Sequence, residues 1–335
     1  MKKKMLALIL GLALILSACG SKNTNDNAKN NESQEQKNVS EIKEPIKIGI
    51  IQLADHIALD RSREGFLQEL EDADVKIEVD YVNAAGELAQ IPAIVNKFKD
   101  DEVDLIYAIA TPAAQGAKNI ITDIPIVFSA VTNPVDSELV ASNEEPGGNI
   151  TGVSDYYSSQ AQLESFLEFF PQVKKLGVLY STNEANSVYQ IEELKEIAEN
   201  LDLELNIKAV NSVNDVSTAM SSLASDMDAF IGINDNLVSS SSQVIANRLK
   251  EAKIPSFAYE AGPVENGLLM SDGVNFEDLG KEAGKIAIKI FEGEDPATIP
   301  VFYSQKTEIT VNETTAKALE LDKMHSIFND ANIVY

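Results

Sequence analysis

The segment Lys47-Ile48-Gly49-Ile50-Ile51-Gln52 has a counterpart 128 positions later in Lys175-Leu176-Gly177-Val178-Leu179-Tyr180. The same holds for Asp104 and Asp228, 124 apart, and for Ile124-Pro125 and Ile254-Pro255, 130 apart. Each pair opens a short apolar run of the kind that forms a strand buried on both faces. Amphipathic stretches lie between the runs, as where Leu59, Phe66, Leu67 and Leu70 share one helical face. Three offsets this close predict two α/β lobes of like topology, each a Rossmann-like parallel sheet with helices on both faces. Solenoid repeats have far shorter periods. With 335 residues there is chain enough for two cores. The lobes are expected over 45–153 with about 267–300, and over 154–266 with about 301–335. The segment Asn149 to Asp155 and a later strand, Gly267 to Asp272, are read as crossings that make a multi-strand hinge.

Open α/β sheets bind ligands beyond the carboxyl ends of their strands, so the loops there are the candidate site. Thr111, Pro112 and Ala113 start a helix after the Asp104 strand; Thr111 as N-cap and Pro112 at the first helical position would leave free N–H groups and the helix dipole facing the crevice, a seat for a carboxylate. Ser129 and Thr132 end the next strand. Gln52, His56 and Asp60 follow the first strand, Ser154 and Asp155 lie in the connecting segment, and Glu260 follows the Ile254 strand. From the second half, Asp235 precedes a helix, where it serves either as a cap or as the partner of a ligand ammonium. Asn186 and Ser187 lie in a polar loop, Asn186 being equally readable as a cap for a helix near Val188. Phe128, Tyr156, Tyr157, Tyr259 and Phe276 offer flat apolar walls for a medium-sized zwitterion.

The amino terminus reads as an address. Lys2 to Lys4 precede an apolar run from Met5 to Leu16, about 18 Å as a helix and too short for a hydrocarbon core of roughly 30 Å, so residues 1–18 are read as a signal peptide. Leu16-Ser17-Ala18-Cys19 matches a bacterial lipobox, in which Cys19 is lipidated and becomes the first mature residue. Cleavage there leaves 317 residues and a formal charge of −29. Residues 19–44 are polar enough to form a disordered tether, with an end-to-end distance on the order of 27 Å.

Ile50-Ile51-Gln52 leading to His56-Ile57-Ala58-Leu59-Asp60, Ala108 to Gln115, Phe128-Ser129-Ala130-Val131-Thr132-Asn133-Pro134, Pro146 to Asp155 and Glu184-Ala185-Asn186-Ser187 resemble the tryptophan/tyrosine-type family of ABC-transporter substrate-binding lipoproteins. The likeness covers nearly all of residues 46 to 312. It departs from the pattern at Asp55-His56-Ile57, where Glu-His-Pro is usual, and at Asn133, where Asp is usual. The resemblance implies a type I periplasmic-binding-protein fold and a lipoprotein outside the cytoplasm that takes up an aromatic amino acid. The chain itself carries no transmembrane bundle and no nucleotide site, so a separate permease and ATPase are the expected partners of a monomeric protein.

Other classes fare worse. Acidic residues outnumber basic ones 53 to 27, which argues against nucleic acid as a partner. A single cysteine makes no internal disulfide or cysteine-based zinc site, and no metal or cofactor is expected. A hydrolase would have to use His56, since the other histidine, His325, lies in a polar tail, and no Gly-x-Ser-x-Gly elbow is present. Gly280-Lys281-Glu282-Ala283-Gly284-Lys285 is spaced wrongly for a P-loop and is read as helix. A ligand-sensing lipoprotein that reports to a membrane receptor would share the fold.

Overall fold

The computed structural model describes residues 45–321 and 326–335. The signal peptide, Cys19, the tether and His325 lie outside the described residues. In the first lobe, strands β1 (Ile46–Gln52), β2 (Ile77–Asn83), β3 (Leu105–Ile109), β4 (Ile126–Val131) and β5 (Ile150–Ser154) alternate with helices α1 (Ile57–Asp72), α2 (Ile91–Asp100) and α3 (Thr111–Ile120). The chain crosses over and continues through α4 (Ser159–Phe169), β6 (Lys175–Ser181), α5 (Ala185–Asn200), β7 (Glu204–Val210), α6 (Val213–Leu223) and β8 (Ala229–Gly232). There follow α7 (Asn236–Ser240), α8 (Ser242–Ala252), β9 (Ser256–Ala258), α9 (Gly262–Glu265) and β10 (Met270–Gly273). It returns for α10 (Phe276–Phe291) and β11 (Phe302–Tyr303), and ends in the second lobe with β12 (Glu308–Asn312), α11 (Glu313–Ala318) and β13 (Asn332–Val334).

The first sheet has the order β11-β5-β4-β3-β1-β2 and the second β13-β12-β10-β9-β8-β6-β7. The run β2-β1-β3-β4-β5 is thus matched by β7-β6-β8-β9-β10, so the two halves share one topology. The first sheet is parallel throughout. The second is parallel except where β12 runs antiparallel to β10.

Strand β10, expected to open the return to the first lobe, stays in the second sheet: Met270 and Ser271 pair with Phe257 and Ala258. The apolar Leu269 and Met270 are buried in the second core. The crossing comes only after Gly273, and from Val274 to Val301 the buried apolar residues belong to the first core. A last crossing joins β11 to β12.

Helix α10 lies against α1 along a glycine seam. A Cβ on Gly280 would meet the Ser62 carbonyl oxygen at 2.1 Å, and one on Gly65 would meet that of Glu277 at 2.0 Å. Gly284, one turn on from Gly280 on the same face, adds a third close approach, to Glu69. The glycines that mimic a P-loop are therefore the packing face of a helix.

Candidate functional site

The carboxyl ends of β1, β3 and β4 face those of β6, β8 and β9 across a crevice. Its central cavity is lined by His56, Leu59, Ala130 and Phe276 from the first lobe, by Asp155 at the crossing, and by Asn186, Asn234, Asp235, Asn236, Ser239 and Glu260 from the second. It is small: about 20 Å³ is open to the centre of a water-sized sphere, and about 270 Å³ lies between the atoms in all. The lobes meet around it. Arg61 on α1 forms a two-pronged ion pair with Glu265 on α9, at 2.5 and 2.8 Å, and His56 Nε2 lies 3.1 Å from Asn236 Oδ1. The Asn236 amide donates to Glu184, so its oxygen accepts and His56 carries its proton on Nε2. Burial lowers the pKa of that imidazole.

Among the described residues, four carboxyl groups are buried at or beside the cavity and no lysine or arginine lines it. Burial raises all four pKa values: Asp155 to about 6, Glu184 and Glu260 to about 7, and Asp235 upward as well. Three of the four are held by backbone amides. Asp235 accepts from Val238 N at 2.8 Å and Ser181 N at 2.6 Å. Glu184 accepts from Asn236 N and Leu237 N, both at 3.2 Å. Glu260 accepts from Gly262 N and from Ser239 Oγ. Asp155 differs: Thr132 and Asn234 stand close enough to oppose its shift, yet its Oδ1 has no hydrogen-bond partner.

Buried polar atoms without partners gather here. They include His56 Nδ1, Thr111 Oγ1, Thr132 Oγ1, Asn186 Oδ1 and Asn234 Oδ1 besides Asp155 Oδ1. His56, Asn186, Asn234 and Asp155 line the cavity itself, while Thr111 and Thr132 lie at the ends of first-lobe strands. The backbone is strained at the same strand ends. Ala110, after β3, has φ 86° and ψ 151°, and Ala130 in β4 has φ 54°, conformations that an alanine holds only where its surroundings impose them.

Several sequence expectations change. Thr111 is the first residue of α3 and not its cap, which is Ala110; its hydroxyl is thereby left without a backbone amide to accept from. The amides of Thr111 and Ala113 remain at the open end of the helix, Pro112 having none. Asn186 lies inside α5, whose N-cap is Glu184, and its amide donates to the Asn234 carbonyl at 2.8 Å. Asp235, readable as a cap or as the partner of an ammonium, is the N-cap of α7, and its two oxygens accept from Val238 N and Ser181 N. Ser129 turns into the first core, where its hydroxyl meets Tyr107 OH at 2.6 Å and Ser62 Oγ at 2.8 Å. Ser154 Oγ donates to the Thr132 carbonyl and accepts from Tyr156 N, which ties the crossing. Gln52 and Asp60 bond each other and Arg63, away from the cavity. Ser187 is fully buried beside Asp235. Of the aromatics, Phe276 lines the cavity, while Phe128 and Tyr259 belong to the cores. Ser239 and the two asparagines that flank Asp235 also line the cavity; a polar Asn-Asp-Asn triplet at 234–236 is the sequence signal for the asparagines.

The Arg61–Glu265 pair is partly exposed, so its worth is modest. Arg61→Gln is expected to weaken ligand binding about 2- to 5-fold through faster dissociation, an effect that shrinks in 0.5 M salt as exposed pairs do. An unchanged dissociation rate in low salt would show that the pair does not hold the lobes together.

Among the described residues, no helix is long and apolar enough to cross a membrane and no group of three or more His, Cys, Asp or Glu side chains is placed to hold a metal ion.

Residues 47–334 match the model of the ABC transporter substrate binding protein family. A tyrosine-binding protein of Clostridioides difficile is 40% identical over 333 residues, 96% of this chain and 94% of that protein. Among solved structures, the ABC domain of a Streptococcus pneumoniae protein in complex with L-Trp is 31% identical, covers 87% of this chain and 100% of its own, and has a TM-score of 0.82. The ligand-free, open structure of a substrate-binding protein with adhesive properties from Clostridium difficile is 41% identical over 86% of this chain and 99% of its own, yet has a TM-score of only 0.67. The better match to the less similar but ligand-bound chain agrees with the closed contacts described above. Far more distant solute-binding proteins, at 14 and 17% identity with TM-scores of 0.56 and 0.60, share the type I periplasmic-binding-protein fold alone.

Proposed function

Since this chain belongs to the family of ABC transporter substrate-binding proteins, we propose that it closes on an aromatic amino acid, L-tyrosine or L-tryptophan, and delivers it to a permease driven by a separate ATPase. Proteins of this family act outside the cytoplasm and serve a permease with a small-molecule ligand. The observation that supports the finer reading is a buried carboxyl group, Asp155, in the wall of the central cavity, with the start of α3 and its unpartnered hydroxyl at the carboxyl end of β3 in the first lobe. The buried Asp155 carboxylate, with an oxygen left unpartnered, suits an ammonium. The open N-terminus of α3 with the unpartnered Thr111 hydroxyl suits a carboxylate. Asn186 and Asn234 supply further hydrogen bonds, and Phe276 an apolar wall. The names of the relatives, one binding tyrosine and another solved with L-Trp, support an aromatic side chain.

Closure follows because the first lobe and the crossing hold the ligand's two charged ends while Asn186 and Asn234 of the second lobe reach it only in the closed form. We further propose that the protein is monomeric and anchored through lipid on Cys19. Mass spectrometry of the mature N-terminus decides the anchor: an unmodified Cys19 would exclude it.

The test of the ligand is a thermal-shift and calorimetric screen of the twenty amino acids, with sugars and nucleosides as contrast. L-Tyrosine or L-tryptophan at 100 times its dissociation constant should add about 2.7 kcal/mol of stability. Analogues lacking the amine or the carboxylate should bind far more weakly than the parent. A response to a sugar or nucleoside and to no amino acid would overturn the assignment.

A further inference from the structure

A second recess lies at the seam between the lobes, beside the first crossing. Four tyrosines line it: Tyr156 and Tyr157 follow β5, Tyr189 projects from α5 and Tyr303 ends β11. Its volume is about 570 Å³ and it shares no lining residue with the central cavity. The rings of Tyr156 and Tyr189 stand edge to face at 66° with centroids 6.5 Å apart, so the two rings turn a corner in the wall. Thr132, almost wholly buried, lines the recess and its hydroxyl has no partner.

The charges around this corner have one sign. The Glu193 carboxylate accepts from Tyr156 OH at 2.6 Å and from Ser159 Oγ at 2.5 Å. Glu193, Asp136 and Glu196 act on Tyr189, and Asp155 and Glu144 act on Tyr303. Among the described residues that line it, none is a lysine or arginine. Burial and the neighbouring carboxylate push the Tyr156 phenol up, so the rings remain neutral π faces. Such faces attract a weakly hydrated cation within about 6 Å of a ring centre, and the carboxylates behind them add to the attraction.

We infer that the tyrosine-lined recess is a second binding site, for a small organic cation of the quaternary-ammonium class. A metal ion fits less well, because the side-chain oxygens lining the recess are phenols, hydroxyls and the amides of Asn133, Asn143 and Gln305, and among the described residues no group of three or more His, Cys, Asp or Glu is placed to hold one. The walls come from both sides of the hinge: Tyr303 and Thr132 from the first lobe, Tyr189 from the second. A cation held between them favours the closed form, so it tightens binding in the central crevice, and by reciprocity the crevice ligand tightens the cation.

Choline is the probe, with 3,3-dimethyl-1-butanol as its uncharged isostere. Titration of the full chain, followed by ligand-observed NMR and calorimetry, should give a saturable choline response and one at least about tenfold weaker for the isostere. Tyr189→Leu should weaken choline about 2- to 5-fold, the range for loss of one ring face, whereas Tyr189→Phe should leave it unchanged. Saturating L-tyrosine or L-tryptophan should not displace choline. Displacement would place choline in the central crevice and overturn the inference, as would equal binding of the isostere, indifference to Tyr189→Leu, or no saturable response. The choline, isostere and Tyr189 arms need no amino acid to bind, so the failure of the proposed function and of this site are separately visible.

Discussion

Asp155→Asn is expected to lower affinity for the amino-acid ligand by roughly 30-fold to several-thousand-fold while making the unliganded protein more stable. The loss follows from removing one side of a desolvated charge pair, on the order of 2 to 5 kcal/mol. The gain follows from burial. A carboxyl held at about 6 in the fold against an ordinary value near 3.9 has its charged form disfavoured by about 3 kcal/mol. Because the folded value is the higher one, the native state binds the proton more tightly, and stability of the free protein declines as pH rises from about 4 to 6. Asparagine, nearly the same shape, removes that decline. The ligand ammonium reverses the preference, so binding below pH 6 must expel a proton. Affinity should fall about tenfold per unit below that point, and calorimetry at pH 5.5 in buffers of different ionisation enthalpy should register about three quarters of a proton released. Release beyond that would come from Glu260, whose carboxyl is held at about 7 in the same cavity. An Asp155→Asn protein that still binds with unaltered affinity would move the ammonium seat elsewhere.

Gly280→Val should cost at least about 3 kcal/mol, the upper part of the range for overfilled cores. The obstacle is backbone, since the new Cβ would lie 2.1 Å from the Ser62 carbonyl oxygen, and a carbonyl inside a helix has no rotamer through which to yield. The melting temperature should drop by roughly 6 to 12 °C. Gly148→Ala, where nothing lies within 4 Å of the added carbon, is the control and should change stability by less than about 0.5 kcal/mol. A Gly280→Val protein as stable as the control would mean that α1 and α10 can part without penalty.

The repeated strands were legible because a central parallel strand must be apolar on both faces, a demand that Ile48 to Ile51 and Leu176 to Leu179 write directly into residue identity. The place of β10 was not. A short apolar run satisfies either sheet equally, and what decides is its pairing with Phe257 and Ala258. The site was legible as a set of loops but not as a division of labour. Whether Asp235 is free depends on the amide of Ser181, 54 positions away, and whether Ser129 faces the crevice depends on Tyr107 and Ser62. Nor does an alanine announce a φ of 86°, so Thr111 looked like the cap that Ala110 is.

The glycine seam also has a mechanical meaning. Helix α1 brings Arg61 to the lobe boundary and begins beside His56; α10 begins at Phe276, in the wall of the central cavity. With no side chains between them at Gly65 and Gly280, neither helix can slide or roll without the other. The outer clasp and the inner wall are thus two points on one lever, and closure has a single collective coordinate. Fluorescent reporters placed beside Arg61 and beside Phe276 should therefore relax with one shared rate constant after ligand is mixed in, with no phase in which the clasp has shut and the wall has not.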